Sequence, residues 1–250
     1  MSENNNNSPA KSVSSAGSTV RAVAAARGWD WIVDGFELFK KQPGIWILIL
    51  IVFVIICLLV SRIPLVGSLA SVVLAEIFLG GLMLGCRSLA SGGSLEIGHL
   101  FAGFSNYTGN LVVLGVLAAV GWIVVAIPAV LIVGTGGMLA MMHGDLAGMM
   151  ELGLSLVLAS LITLALSIPL YMALWFAPVL IVLNGAKPVA AARQSFSACW
   201  DNIVPFLVYG IVLLVLSFAA AIPLFLGFLV LGPVIIASVY TAYRDIFAVA

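Results

Sequence analysis

The placement of basic residues along an otherwise apolar chain is the feature that most constrains the fold. The chain has ten lysines and arginines and can be divided into six apolar stretches, and all the basic residues but Arg62 fall on one side of that alternation. Because the cytoplasmic loops of membrane proteins are enriched in lysine and arginine, this asymmetry predicts six spans with both termini in the cytoplasm. The residues on the predicted cytoplasmic side are Lys11, Arg21, Arg27, Lys40, Lys41, Arg87, Lys187, Arg193 and Arg244.

Composition also indicates an all-α, polytopic membrane protein. The hydrophobic fraction is 63%, charged residues make up 8%, and the mean hydropathy is +1.25. A soluble domain carries about 25% charged residues, so most of this surface has to face lipid. Six spans of about 20 residues each use most of the 250 residues and exclude a soluble catalytic domain. The net charge is zero, and we expect no nucleic-acid binding and no cofactor.

The pattern divides the chain into a tail and a membrane domain. The first 20 residues are rich in asparagine and serine and have almost no large apolar side chains, which is typical of disordered segments. We therefore predict a disordered cytoplasmic tail over residues 1–26 and a single six-span domain over residues 27–250. No signal-peptide pattern precedes the first apolar run near Gly44, so we expect no cleaved signal peptide.

Prolines and glycines occur within and between the predicted spans. Pro169 and Pro178 interrupt the fourth span, which predicts a kink there. Residues 134–151 form a glycine- and methionine-rich outer loop, whose thioethers and His143 could bind Cu(I). Methionine is also ordinary filler beside apolar spans, and we predict no metal site. The six spans are residues 44–60, 65–87, 110–133, 152–183, 203–222 and 224–240.

Three segments that precede the odd-numbered spans place aromatic residues at helical spacing, with charged or polar residues between them. Each predicts a short amphipathic helix that lies in the headgroup region with its apolar face toward the acyl chains. Their shared pattern raises the hypothesis of three repeated units, each an interfacial helix followed by a transmembrane hairpin, although such short patterns also arise by chance. The patterns are Phe36-x-x-Phe39, Phe101-x-x-Phe104 and Phe196-x-x-Cys199.

One ionisable residue lies deep within a predicted span. Glu76 is near the middle of the second span, where a charge is costly. It is either a proton or cation relay site or a structural carboxyl. A structural carboxyl would be protonated and hydrogen-bonded to a neighbouring helix, or reached by a water-filled indentation. Ser160, Thr163, Ser167 and Tyr171 form a stripe on the fourth span that could face Glu76 across the bundle interior. Serine and threonine can also bond to their own helix.

The motifs that mark common enzyme sites do not occur in this sequence. It has no HExxH zinc helix and no phosphate-binding glycine loop, and no serine or cysteine is followed by a histidine suited to activate it. We therefore expect no catalytic activity.

Several short motifs over residues 27–247 follow one another in a characteristic order. Among them are Arg27-Gly28-Trp29-Asp30-Trp31, Gly35-Phe36-Glu37-Leu38-Phe39, Leu100-Phe101-Ala102-Gly103-Phe104, Trp175-Phe176-Ala177-Pro178, Ser195-Phe196-x-x-Cys199-Trp200-x-Asn202 and Tyr240-x-x-Tyr243-Arg244-Asp245. Together they resemble an uncharacterised family of six-helix proteobacterial inner-membrane proteins. This resemblance implies a multi-pass protein of the bacterial inner membrane and implies no particular chemistry. More distantly, the chain is similar to the membrane domain attached to some glycerophosphodiester phosphodiesterases.

Three functions remain open on these grounds. The first is a non-enzymatic accessory, scaffold or lipid-organising membrane component, whose partners are the lipid bilayer and other membrane proteins. The second is a small proton- or solute-coupled transporter or channel that uses Glu76 and the polar face of the fourth span. The third, a lipid-active enzyme, lacks a recognisable nucleophile and base.

Overall fold

The fold is all-α, as the sequence predicts. The computed structural model describes residues 20–64, 67–143 and 146–248, and every regular element in those ranges is helical. A 3₁₀ turn at Ala102–Phe104 follows α4. The α-helices are α1 (Arg27–Lys41), α2 (Pro43–Ser61), α3 (Gly67–Ala90), α4 (Gly98–Phe101), α5 (Thr108–His143), α6 (Leu146–Trp175), α7 (Ala177–Asn184), α8 (Pro188–Asp201), α9 (Ile203–Ala221) and α10 (Phe228–Ile246).

Six helical segments are long and apolar enough to cross a membrane, which confirms the predicted number. They are α2, α3, α5, α6 with α7, α9 and α10. The interruption predicted in the fourth span lies at Phe176, between α6 and α7. The turn before α10 occupies residues 222–227 and is longer than predicted. Leu224 and Phe225 have φ angles of 53° and 65° there, which a continuing helix does not allow.

The prediction of an outer loop over residues 134–151 is wrong. The helices α5 and α6 extend through this region, and only residues 144–145 between them lie outside the described residues. The glycines that favoured a loop bring two helices together instead, because a Cβ on Gly136 would overlap the side chain of Ser155. Small residues at such contacts are typical of membrane helix pairs, and methionine favours a helix.

The core lies toward one end of the bundle. It consists mainly of the C-terminal part of α3, all of α7 and the C-terminal part of α10, and α1, α4 and α8 pack around it. In the most apolar windows of the spans, 56% of α10 is buried, but only 11% of α2 and of α9. We call the end of the bundle at which α1, α8 and the C-termini of α3 and α10 lie the charged end.

Glycine brings two of the segments that the sequence predicts to be interfacial against membrane-capable helices. A Cβ on Gly35 of α1 would lie 2.8 Å from the backbone nitrogen of Ser238 in α10. A Cβ on Gly103 of the 3₁₀ turn would overlap the carbonyl oxygen of Ile77 in α3. Both contacts require the backbones to approach more closely than any larger residue permits.

In α8, a serine side chain makes the contact with the neighbouring helices. The Ser195 hydroxyl lies in the break between α6 and α7, where it accepts a hydrogen bond from the backbone N–H of Phe176 at 2.9 Å and donates one to the carbonyl oxygen of Met172 at 2.6 Å. These two backbone groups would bond to each other in an unbroken helix. The inserted hydroxyl therefore satisfies both groups at the break.

These three contacts give an alignment of the predicted repeat that differs from the one in the sequence pattern. Gly35, Gly103 and Ser195 are each followed by a phenylalanine, so aligning the three contact residues pairs Phe104 with Phe36, where the sequence pattern paired Phe101. The two alignments differ by three residues, close to one helical turn, and both place an aromatic residue on the same face. The order of interfacial segment and hairpin occurs three times along the chain.

Residues 20–26 differ from the prediction of a disordered tail. Asn202 accepts a hydrogen bond from the backbone N–H of Val23 at 2.8 Å and donates one to the carbonyl oxygen of Arg21 at 3.1 Å. The backbone N–H of Arg21 also donates to the carbonyl oxygen of Ile246 at 2.8 Å. The ends of α8 and α10 therefore bind this segment. The rest of the predicted tail, residues 1–19, lies outside the described residues.

Candidate functional site

Glu76 is the tenth residue of α3, Gly67–Ala90. Its Oε2 is buried and has no hydrogen-bond partner among the described residues. Val73 and Gly80, one turn away on either side, both pack against α5: a Cβ on Gly80 would lie 2.9 Å from the side chain of Leu111. Glu76 is therefore placed beside the α3–α5 contact, where an unpaired polar oxygen is costly.

The serines and threonine predicted to line the bundle interior bond to their own helix. The Ser160 hydroxyl donates to the carbonyl oxygen of Leu156 at 2.6 Å, Thr163 donates to Ala159 at 2.7 Å, and Ser167 donates to Leu164 at 2.8 Å. Ser160 is exposed, although Ser167 is buried. The expectation that this stripe faces inward across helices is therefore wrong for Ser160, because bonds within α6 already satisfy the hydroxyls.

The structure does not bring Glu76 and this stripe into one site. Helix α3 packs mainly against α5, α7, α2 and the α4 segment, whereas α6 packs mainly against α5 and α8. Tyr171, the last residue of the stripe, contacts Trp122 of α5 with ring centroids 5.0 Å apart. The predicted composite site thus separates into an isolated carboxyl and a set of intrahelical hydrogen bonds.

The three segments that the sequence predicts to be interfacial carry exposed aromatic side chains. On α1, Trp29 and Phe36 are exposed, while Ile32 and Phe39 of the same predicted face pack into the core. One part of the apolar face of α1 therefore packs into the protein interior, and the other part is exposed. The corresponding exposed side chains on the other two segments are Phe101, Phe104, Phe196 and Trp200.

A charged network at the charged end was missed by sequence reasoning. The Asp245 carboxylate accepts hydrogen bonds from Arg21 at 2.7 Å, from Arg27 at 2.6 Å and from the Trp31 indole at 3.0 Å. The hydrogen bond from Arg27 to Asp245 raises the pKa of the guanidinium, and burial raises the pKa of the nearby Asp34 carboxyl. In the sequence, Asp245 only marks the charged end of the last span, because its partners lie more than 200 positions away.

Next to this network is a cavity of about 640 Å³ at the charged end. Its lining includes Arg27 and Asp245 of the network together with Lys41 and Arg244. The lining also includes the apolar residue Leu38 of α1. Among the described residues, no group of three or more histidine, cysteine or acidic side chains could bind a metal ion.

A probable inner membrane protein of Burkholderia thailandensis is 32% identical to this chain over 228 residues, which cover 87% of this chain and 82% of the relative. The chain belongs to this family of inner membrane proteins. No protein-family model matches the chain, and no solved structure matches it. Membership in this family agrees with the resemblance to inner-membrane proteins found in the sequence and with the six membrane-capable helices. The distant similarity to the membrane domain of glycerophosphodiester phosphodiesterases has no support from this relative.

Proposed function

We propose that this inner-membrane protein is a non-enzymatic scaffold or lipid-organising component that binds no nucleic acid. The observation that carries the proposal is the set of exposed aromatic side chains on three separate segments: α1, the α4 segment and α8. On α1 and α8 the most exposed of these are Trp29 at 51% and Trp200 at 61%. Aromatic rings at a membrane interface lie at headgroup depth, so three such segments engage lipids over a wide area of one leaflet.

The orientation belongs to the same proposal: the charged end faces the cytoplasm. The excess of lysine and arginine at that end supports it. We expect a Cys introduced in place of Arg62 to react with a membrane-impermeant maleimide in intact spheroplasts, and one in place of Asp201 to react only after permeabilisation. Labelling in the reverse order would overturn the orientation. The wild-type chain is the control for the native thiols, of which Cys86 and Cys199 are buried and Cys57 in α2 is half-buried.

Lipid retention tests the lipid-organising function. We expect the triple variant Trp29→Ala, Phe36→Ala and Trp200→Ala to retain about half as much phospholipid after mild detergent extraction as the wild type, because the exposed rings contribute apolar area at the interface. The measurement is phospholipid per protein after extraction and size-exclusion chromatography.

The matched control for lipid retention replaces exposed apolar residues at the opposite end of the α9–α10 hairpin. Phe218 and Phe225 are each 69% exposed there, and we expect their alanine variants to retain lipid as the wild type does. If wild-type protein carries no enriched lipid and no protein partner, or if both sets of variants behave alike, the proposed function fails.

Glu76 favours a second candidate function, a proton- or solute-coupled transporter. The observation in its favour is the Glu76 Oε2 midway along α3, which has no hydrogen-bond partner in the described part of the chain, since intramembrane carboxylates commonly mark ion pathways. Under the scaffold function, we expect Glu76→Gln to leave proton flux in proteoliposomes within about two-fold of the wild type. Under transport, the variant would lower flux at least about ten-fold, because glutamine carries no titratable proton. The measurement is a pH-sensitive dye trapped inside the vesicles.

A further inference from the structure

The cavity at the charged end has more positive than negative charge available to a ligand. Asp245 is already bonded to Arg21 and Arg27. Glu37 is paired at 2.7 Å with Lys40, which does not line the cavity. Among the carboxylates that line the cavity, this leaves Asp34, whose nearest guanidinium nitrogen, on Arg27, is 4.0 Å away.

Two cations of the lining are not neutralised by a carboxylate. Arg244 forms no ion pair within 4.0 Å in the part of the chain that the structure describes, and Lys41 donates instead to the carbonyl oxygen of Leu89 at 3.0 Å. The two side chains enter the cavity from different helices, α10 and α1. An arginine and a lysine that line the same cavity are suited to phosphate oxygens, which accept hydrogen bonds from both.

We propose that this cavity binds a phosphate group, supplied by an anionic phospholipid headgroup or by a soluble phosphate compound, with Arg244 and Lys41 as its main ligands. A volume of about 640 Å³ is that of a small-molecule site. The cavity lies along the polar side of α1, whose other side exposes Trp29, Val33 and Phe36. Because an interfacial helix buries its apolar side among acyl chains, the cavity opens at headgroup depth, where phospholipid phosphates lie.

The inference deepens the lipid-organising function by naming a lipid class, and it rests on that function only for the lipid source. The two can fail separately. The aromatic variants test retention of bulk phospholipid, whereas substitutions in the cavity test the preference for anionic over zwitterionic headgroups.

The experiment measures binding of the purified full-length chain in detergent micelles. The probes are micelles doped with phosphatidylglycerol, micelles doped with phosphatidylcholine, and inorganic phosphate alone. We expect preferential binding of the phosphatidylglycerol micelles and an about five-fold loss for Arg244→Gln, because this variant loses a charge-assisted hydrogen bond to the phosphate inside the cavity. Arg193→Gln on α8 is the matched control, because Arg193 is an exposed cation at the same end that does not line the cavity.

A variant that is expected to tighten binding distinguishes an effect on the cavity from misfolding. Asp34→Asn removes a negative charge from the cavity and is expected to tighten binding of phosphatidylglycerol about five-fold, which a damaged fold cannot do. Competition by inorganic phosphate identifies a soluble phosphate as ligand, and its absence identifies the lipid. Equal binding of the two lipids without any phosphate binding, or equal losses for Arg244→Gln and Arg193→Gln, overturns the proposal.

Discussion

Replacing Gly103 with alanine is expected to lower the free energy of unfolding by about 3 kcal/mol. The added Cβ would overlap the carbonyl oxygen of Ile77, and backbone cannot yield as a flexible side chain does. The 3₁₀ turn would therefore have to separate from α3 and expose the core beneath it. Cys86 of α3 is fully buried, so the measurement is the temperature at which its thiol reacts with a fluorogenic maleimide. Cys57 is half-buried and Cys199 is a further thiol, so both are replaced by serine in the background chain.

The matched control for this substitution is Gly98→Ala at the start of α4. A Cβ on Gly98 would meet no atom within 4 Å. Because alanine loses less backbone entropy than glycine on folding, we expect Gly98→Ala to leave stability unchanged or to raise it by about 0.5 kcal/mol. Similar reaction temperatures for the two variants would contradict the close contact between the 3₁₀ turn and α3.

Replacing Asp245 with asparagine is expected to lower the free energy of unfolding by about 2 kcal/mol. The carboxylate accepts bonds from Arg21, Arg27 and Trp31, and a hydrogen bond to a charged group contributes about 1.5–3 kcal/mol. Solvent reduces this contribution, because the side chains of Arg21 and Arg27 are 58% and 37% exposed. The measurements are the thermal unfolding midpoint and the rate of proteolysis within residues 20–27.

Asp201→Asn provides the comparison for Asp245→Asn. Asp201 is an exposed carboxylate at the same end, and its one described partner is the Ser197 hydroxyl at 3.3 Å. We expect its replacement to change stability by less than about 0.5 kcal/mol. If both variants unfold at the same temperature and are cleaved at the same rate, Asp245 does not bind the N-terminal segment as described.

The sequence predicted the bounds of the spans well and the contacts between the helices poorly, because the bounds depend on local properties and the contacts do not. The length and hydropathy of each span are local properties, so α2 and α9 were expected close to their observed bounds. The glycines of residues 134–151 misled the prediction because their small size serves a contact with a helix that comes later in the chain. Glu76 stands out in the sequence by its charge alone, but which residues surround it depends on how α3 packs.

Composition and the order of apolar stretches by themselves determined that this is an all-α protein with six membrane-capable helices, because a backbone in lipid has to satisfy its own hydrogen bonds and a span needs a fixed length. Only the tertiary structure decided that Asp245 joins Arg21 and Arg27, that Ser195 enters the break before α7, and that the polar stripe of α6 is separate from Glu76. Each of these depends on contacts between residues far apart in the chain, which close packing selects and local sequence patterns do not specify.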